Sequence, residues 1–292
     1  MFLVMFLLGL LYVVFVGALL AVNIAWQLIV IVVGGFFFIQ FFASDRIALF
    51  AMHGRIVTEQ EAPQLHAIVD RLCAMSNTPK PKVAIADNDM PNAFATGRSQ
   101  KRAVVCATTG IMRRLDAEEL EGVLAHEMSH VAHHDVAVMT IASFLGVLAG
   151  IITRFAFYAE MFGGGGGNRR GRNDQNTAMI AFFVMIVSAI VYAVSFLLIR
   201  ALSRYRELSA DRAGALLTGR PSSLASALQK VTGAMGQIPT RDLRSAEAFN
   251  AFFFTPALAK GASLSSLFST HPSLERRLEQ LAEISRELGE GR

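Results

Sequence analysis

The chain has 292 residues, 53% hydrophobic and only 17% charged, with a net charge of +4 and a mean hydropathy of +0.44. Soluble domains carry about 25% charged residues, so an all-soluble protein is excluded, and so large an apolar fraction also excludes a disordered or fibrous chain. The mild charge gives no basis for a nucleic-acid partner, and Cys73 and Cys106, far apart and outside any C-x-x-C, point to a reducing compartment rather than a disulfide framework.

Residues 1–43 contain no charged side chain. Met1–Val22 is long enough for a membrane span, because a hydrocarbon core of about 30 Å takes about 20 helical residues. Asn23 and Trp26-Gln27 interrupt the run and Trp26–Phe42 follows, so 1–43 reads as a transmembrane helical hairpin. A cleaved signal peptide is disfavoured by the uncharged N-terminal end and by the second span.

Residues 44–135 alternate helix and strand. Thr58, with Glu61 three residues on, marks a helix start running to about Ser76. Lys82–Ala86 and Arg102–Thr108 read as short strands. Pro91 and Gly97 bracket Asn92-Ala93-Phe94-Ala95-Thr96, which reads either as an exposed sheet edge able to pair with an extended peptide or as an ordinary surface loop. A strong helix opens at Asp116, with Glu118 and Glu119 in its first turn and Leu120, Val123, Leu124 and Met128 on one face.

That helix contains His126-Glu127-Met128-Ser129-His130. Histidines at i and i+4 lie one turn apart on one face, so both imidazoles can reach one ion at about 2.0–2.1 Å. The glutamate between them is then placed to take a proton from a water on that ion. His134 continues the series, but it lies about 12 Å along the axis from His126, too far to share an ion; His133 and His134 read as an aqueous edge.

Residues 136–199 read as a second transmembrane hairpin. Val136–Phe157 is its weaker run, Ala178–Ile199 the cleaner one, and a Gly-rich connector with Arg169, Arg170 and Arg172 joins them. Ten Lys/Arg in 44–135 and thirteen in 200–292, against three in the connector, place both large segments on the cytoplasmic side. His130 precedes Val136 by six residues, about 9 Å of helix, which puts a cleft at the membrane surface. Just past the last run, Glu207 and Asp211 stand at i and i+4; one can bind the metal while the other orients a ligand histidine.

In these motifs and their order the chain resembles the HtpX-type integral-membrane zinc metallopeptidases, relatives of the CAAX prenyl endopeptidases. The resemblance rests on Asn92–Gly97, His126–His130 with Asp135, Glu207 with Asp211, and Thr270-His271-Pro272 followed by Arg277. It implies a mainly α fold with a small β-sheet: a zincin-like (gluzincin) catalytic domain, split between 44–135 and 200–292, on a four-helix transmembrane scaffold. It implies one zinc per chain on His126, His130 and Glu207, with Glu127 as base. Asp211, Asp135 and Arg277 would support the ligands, His271 would assist catalysis, and Asn92, Ala93 and Phe94 would bind substrate. The expected activity is endoproteolysis of membrane proteins or unfolded polypeptides at the cytoplasmic face of the plasma membrane, in protein quality control.

Two readings of other classes compete. A membrane zinc transporter needs ligands at mid-depth in its spans, and these apolar runs hold none. A purely structural metal needs a fourth protein ligand, for which the sequence offers no obvious residue.

Overall fold

The computed structural model describes residues 2–21, 52–97, 99–163, 172–237 and 271–289, with isolated positions 31, 34, 35, 38, 49, 50 and 254. Apart from those positions, the expected span Trp26–Phe42 lies outside the described residues, as do the body of the Gly-rich connector and Thr270. In chain order the elements are α1 (Phe2–Ala21), β1 (Gly54–Ile56), α2 (Pro63–Ser76), β2 (Lys82–Ala86), β3 (Ala93–Thr96) and a 3-10 turn at Gln100–Arg102. They continue as β4 (Val104–Thr108), α3 (Thr109–Arg114), α4 (Ala117–Ala132), α5 (Asp135–Gly163), α6 (Arg172–Thr218), α7 (Pro221–Gln237) and α8 (Leu274–Leu288). The chain divides into two compact units, Met1–Phe41 with Met139–Leu202, and Phe42–Val138 with Ser203–Arg292.

The described residues of the first unit are helical. Windows of α1 (Phe2–Leu19), α5 (Ala137–Arg154) and α6 (from Phe182) have mean hydropathies of 2.8, 1.8 and 2.7, long and apolar enough to cross a bilayer. Phe15, Leu19, Ala149 and Val191 form its buried core. Many other large apolar side chains, among them Phe2, Val13, Phe182 and Ile190, face outward, as lipid contact requires. Small residues let α5 and α6 approach closely: a Cβ on Gly146 would lie 2.8 Å from Ser195 Cβ, and one on Gly150 2.9 Å from the Tyr192 ring.

The second unit holds a four-stranded sheet in the order β1-β2-β4-β3, with β2 and β4 parallel and the outer pairs antiparallel. Every residue of β4 is buried, which suits a central strand covered on both faces. The strand expected over Arg102–Thr108 begins at Val104, because Gln100–Arg102 coils into the 3-10 turn. The segment Asn92–Gly97 contains the edge strand β3. Its side chains Ala93, Phe94 and Thr96 are buried, since α4 packs across the strand.

The helix expected from Thr58 starts at Pro63 instead. Thr58 and Glu61 form a separate turn, Glu61 Oε2 accepting the Thr58 N–H at 2.8 Å. Pro63 lacks an N–H and disfavours helical geometry at Ala62, whose φ and ψ are −141° and 61°. At α4 the expected cap is present as a full capping box: Asp116 Oδ1 accepts the Glu119 N–H at 2.9 Å and Glu119 Oε2 the Asp116 N–H at 3.0 Å. Burial, however, is not confined to one face. Every residue from Glu119 to Ser129 is buried, because α4 is enclosed by β3, α2 and α7.

One close approach fixes where α6 lies against α4. A Cβ on Gly214 would sit 2.9 Å from the His126 backbone nitrogen, closer than a carbon tolerates. Gly214→Ala is therefore expected to push the helices apart and lower stability by about 1–3 kcal/mol, read as a lower thermal midpoint of the detergent-solubilised protein.

Candidate metal centre

Four elements converge beside β3. The last two turns of α4 carry His126, Glu127 and His130, the first residue of α5 is Asp135, α6 brings Arg206, Glu207 and Asp211, and α8 brings Arg277, with His271 three residues before α8. His126 Nε2 and His130 Nε2 point at each other 3.2 Å apart, their rings edge to face. Glu207 lies against both, Oε1 3.5 Å from His130 Nε2 and Oε2 3.7 Å from His126 Nε2.

These three side chains offer donor atoms all within 4.8 Å of one another. Two ligand atoms bound tetrahedrally at about 2.0–2.1 Å stand about 3.3–3.4 Å apart, so the observed separations suit one small cation. Charge points the same way. Buried Glu127, Glu207, Asp211 and Asp135 are met by two arginines, Arg277 and Arg206, and a divalent cation would cancel the excess.

Each nitrogen turned away from that centre has a carboxylate beside it. His126 Nδ1 lies 2.8 Å from Asp211 Oδ1 and His130 Nδ1 2.6 Å from Asp135 Oδ2. Such contacts set the tautomer and aim Nε2 inward. Asp211, fully buried, receives two hydrogen bonds from Arg277, Nε to Oδ2 at 2.7 Å and Nη2 to Oδ1 at 2.6 Å. Burial alone would raise the Asp211 carboxyl; the Arg277 charge and hydrogen bonds outweigh it and hold it below the usual range. Glu207 is likewise opposed by burial and held well below its ordinary value by His271 and His130. His271 Nδ1 stands 3.0 Å from Glu207 Oε2.

Glu127 sits between the edge strand and the imidazoles. Its Oε2 accepts the Ala95 N–H at 3.0 Å. Asn92 C=O accepts the Thr108 N–H of the neighbouring strand, so alternation along β3 turns the Ala93 and Ala95 backbone outward, toward Glu127. Burial, with the nearby Glu207 charge, pushes the Glu127 carboxyl above its usual range despite the opposing imidazoles. Asn92 itself is fully buried, its Oδ1 accepting the Phe254 N–H at 2.9 Å. His133 and His134 are exposed, outside the cluster.

Three residues here escape sequence reasoning. Phe254 packs edge-on against His126 with 5.2 Å between ring centroids, its carbonyl accepting from Arg277 Nη1 at 3.0 Å. Gly214 and Arg206 complete the set. Nothing local distinguishes a phenylalanine in an apolar stretch, one glycine among twenty-three, or an arginine beside a glutamate.

Known proteins show which family this chain resembles. The model of peptidase family M48 matches residues 59–285. A protein named Protease HtpX homolog 1 from Streptomyces coelicolor is 64% identical over 98% of this chain and 92% of its own length. A Protease HtpX homolog from Moorella thermoacetica is 50% identical over 100% and 95%. The crystal structure of S. mikatae Ste24p shares the fold at a TM-score of 0.58 and 18% identity, over 94% of this chain and 62% of that one.

Burial pulls the His130 imidazole down, but Asp135 and Glu207 outweigh it and push it up to about 10. Below that value both ring nitrogens carry protons, and a metal bound at Nε2 would displace one of them. Metal loading at pH 7 is therefore expected to release about one proton from His130, the release fading as pH rises through about 10. Calorimetry in buffers of differing ionisation enthalpy measures it.

Proposed function

The chain belongs to peptidase family M48 as an HtpX-type membrane metalloprotease, and we propose that it is a zinc-dependent endopeptidase acting at the cytoplasmic face of the plasma membrane on membrane-protein or unfolded polypeptide substrates. One observation carries the reading: two imidazole nitrogens and one carboxylate converge within 4.8 Å while a second carboxylate, Glu127, stands between the imidazole helix and a sheet edge.

A zinc ion on His126, His130 and Glu207 would polarise a scissile carbonyl and lower the pKa of a bound water to about 7. Glu127 then serves as the base, taking a proton from the attacking water and passing it to the leaving amine. Its burial and raised pKa suit a group that must hold that proton between steps. Asp211 and Asp135 keep His126 and His130 facing inward. Arg277 holds Asp211, and His271, buried and anchored on Glu207, is the side chain we assign to the developing oxyanion. The segment Asn92-Ala93-Phe94 is read as the substrate strand, supported by the outward backbone groups of β3. We read 1–43 and 136–199 as membrane hairpins flanking two halves of one catalytic domain, 44–135 and 200–292; the compact units divide close to those boundaries.

Glu127→Gln is expected to keep about one zinc per chain and to lose cleavage of a model membrane protein by at least about 100-fold, whereas Glu207→Ala should lose the zinc itself; metal analysis beside a cleavage assay checks both. The excess of Lys and Arg in the two large segments supports the cytoplasmic assignment. A reporter fused to the C-terminus should accordingly be active only in its cytoplasmic form, and reporter activity outside the membrane would overturn the orientation.

A further inference from the structure

The two histidines of the centre are supported in parallel. On one side, the aspartate beside His126 is clamped by a buried arginine, Arg277. On the other, Asp135 Oδ2 lies 2.6 Å from His130 Nδ1 and 2.7 Å from Arg206 Nη2. Nothing in the proposed reaction uses Arg206. We infer that Arg206 is a positioning residue of the metal centre, holding the Asp135 carboxylate in the one orientation that fixes the His130 ring with Nε2 toward the ion. The inference rests on the reading of His126, His130 and Glu207 as ligands.

Three elements meet in this contact. His130 lies near the end of α4, Asp135 opens α5, and Arg206 belongs to α6 next to Glu207. Between His130 and Asp135 the chain turns through His134, whose φ is +56°. A carboxylate at the first residue of a helix is free to rotate about its own side chain. With one oxygen shared between an imidazole and a guanidinium, that rotation would break two contacts instead of one.

Arg206 is buried with the carboxylate it holds. Its side chain is only 12% exposed, and its buried Nε has no hydrogen-bond partner among the described residues. Arg277, by contrast, uses Nε, Nη1 and Nη2.

The test uses the full-length protein in detergent, with zinc affinity measured by chelator competition, the visible spectrum of the cobalt-loaded protein, and thermal unfolding. Arg206→Gln is expected to weaken zinc binding about 10- to 100-fold and to shift the cobalt bands, while Arg206→Lys, able to make the same single contact, recovers most of the affinity. Arg206→Met keeps the aliphatic stem without the buried charge; it should show the same loss and stands in if Arg206→Gln does not fold. Wild-type zinc affinity in the Gln or Met variant, whatever its unfolding temperature, would overturn the inference, as would a Lys variant as weak as the Gln variant. Glu207→Ala separates the two levels of argument: if it binds zinc like wild type, the ligand reading fails, and if it alone loses zinc, only the role of Arg206 fails.

Discussion

Four carboxylates buried in one small volume cannot all stay ionised without cations beside them, and that constraint organises the second unit. Arg277 answers Asp211 and Arg206 answers Asp135. Glu207 and Glu127 are left facing the imidazoles, where a divalent ion would complete the balance. Each compensating group comes from a different part of the chain, so electrostatic satisfaction and tertiary assembly are the same event. Removing any one partner would leave an uncompensated buried charge.

Close packing delivers those charges to the right places. α4 is enclosed along its length, and α6 approaches its backbone at Gly214, which brings Glu207 and Asp211 within reach of His126 and His130. β3 lies along the same helix, so the Ala95 N–H and the Glu127 carboxylate meet at 3.0 Å. The proposed base thus stands beside the strand that would receive the substrate. Burial raises its carboxyl against the pull of the imidazoles, and the strand backbone sets its direction. A single helix, α6, carries both an apolar stretch long enough to span lipid and three of the residues of the centre, Arg206, Glu207 and Asp211.

Much of this was legible in the chain. The Asp116 cap, the i and i+4 histidines and the i and i+4 acids Glu207 and Asp211 are local patterns, and local geometry follows from them through helical periodicity alone. The apolar runs are legible for a similar reason, since lipid demands length and composition rather than particular contacts. Errors fell where neighbours in space decide. Thr58 and Glu61 form a capping pair that Pro63 separates from the helix, and α4 is buried all round over Glu119–Ser129 rather than along one face.

Sequence by itself determined the helix that presents two imidazoles and a glutamate on successive positions, the presence of membrane-length helices, and the family to which both belong. Only the folded structure decided that Arg206 grips Asp135, that Arg277 takes Asp211 with two nitrogens, that Phe254 backs His126, and that Gly214 must lack a side chain. The physical reason is range. Hydrogen-bond periodicity acts over four residues and is written in the order of the chain, whereas tertiary hydrogen bonds, charge compensation and close packing act over a few ångströms between residues up to 162 positions apart, and no local pattern records them.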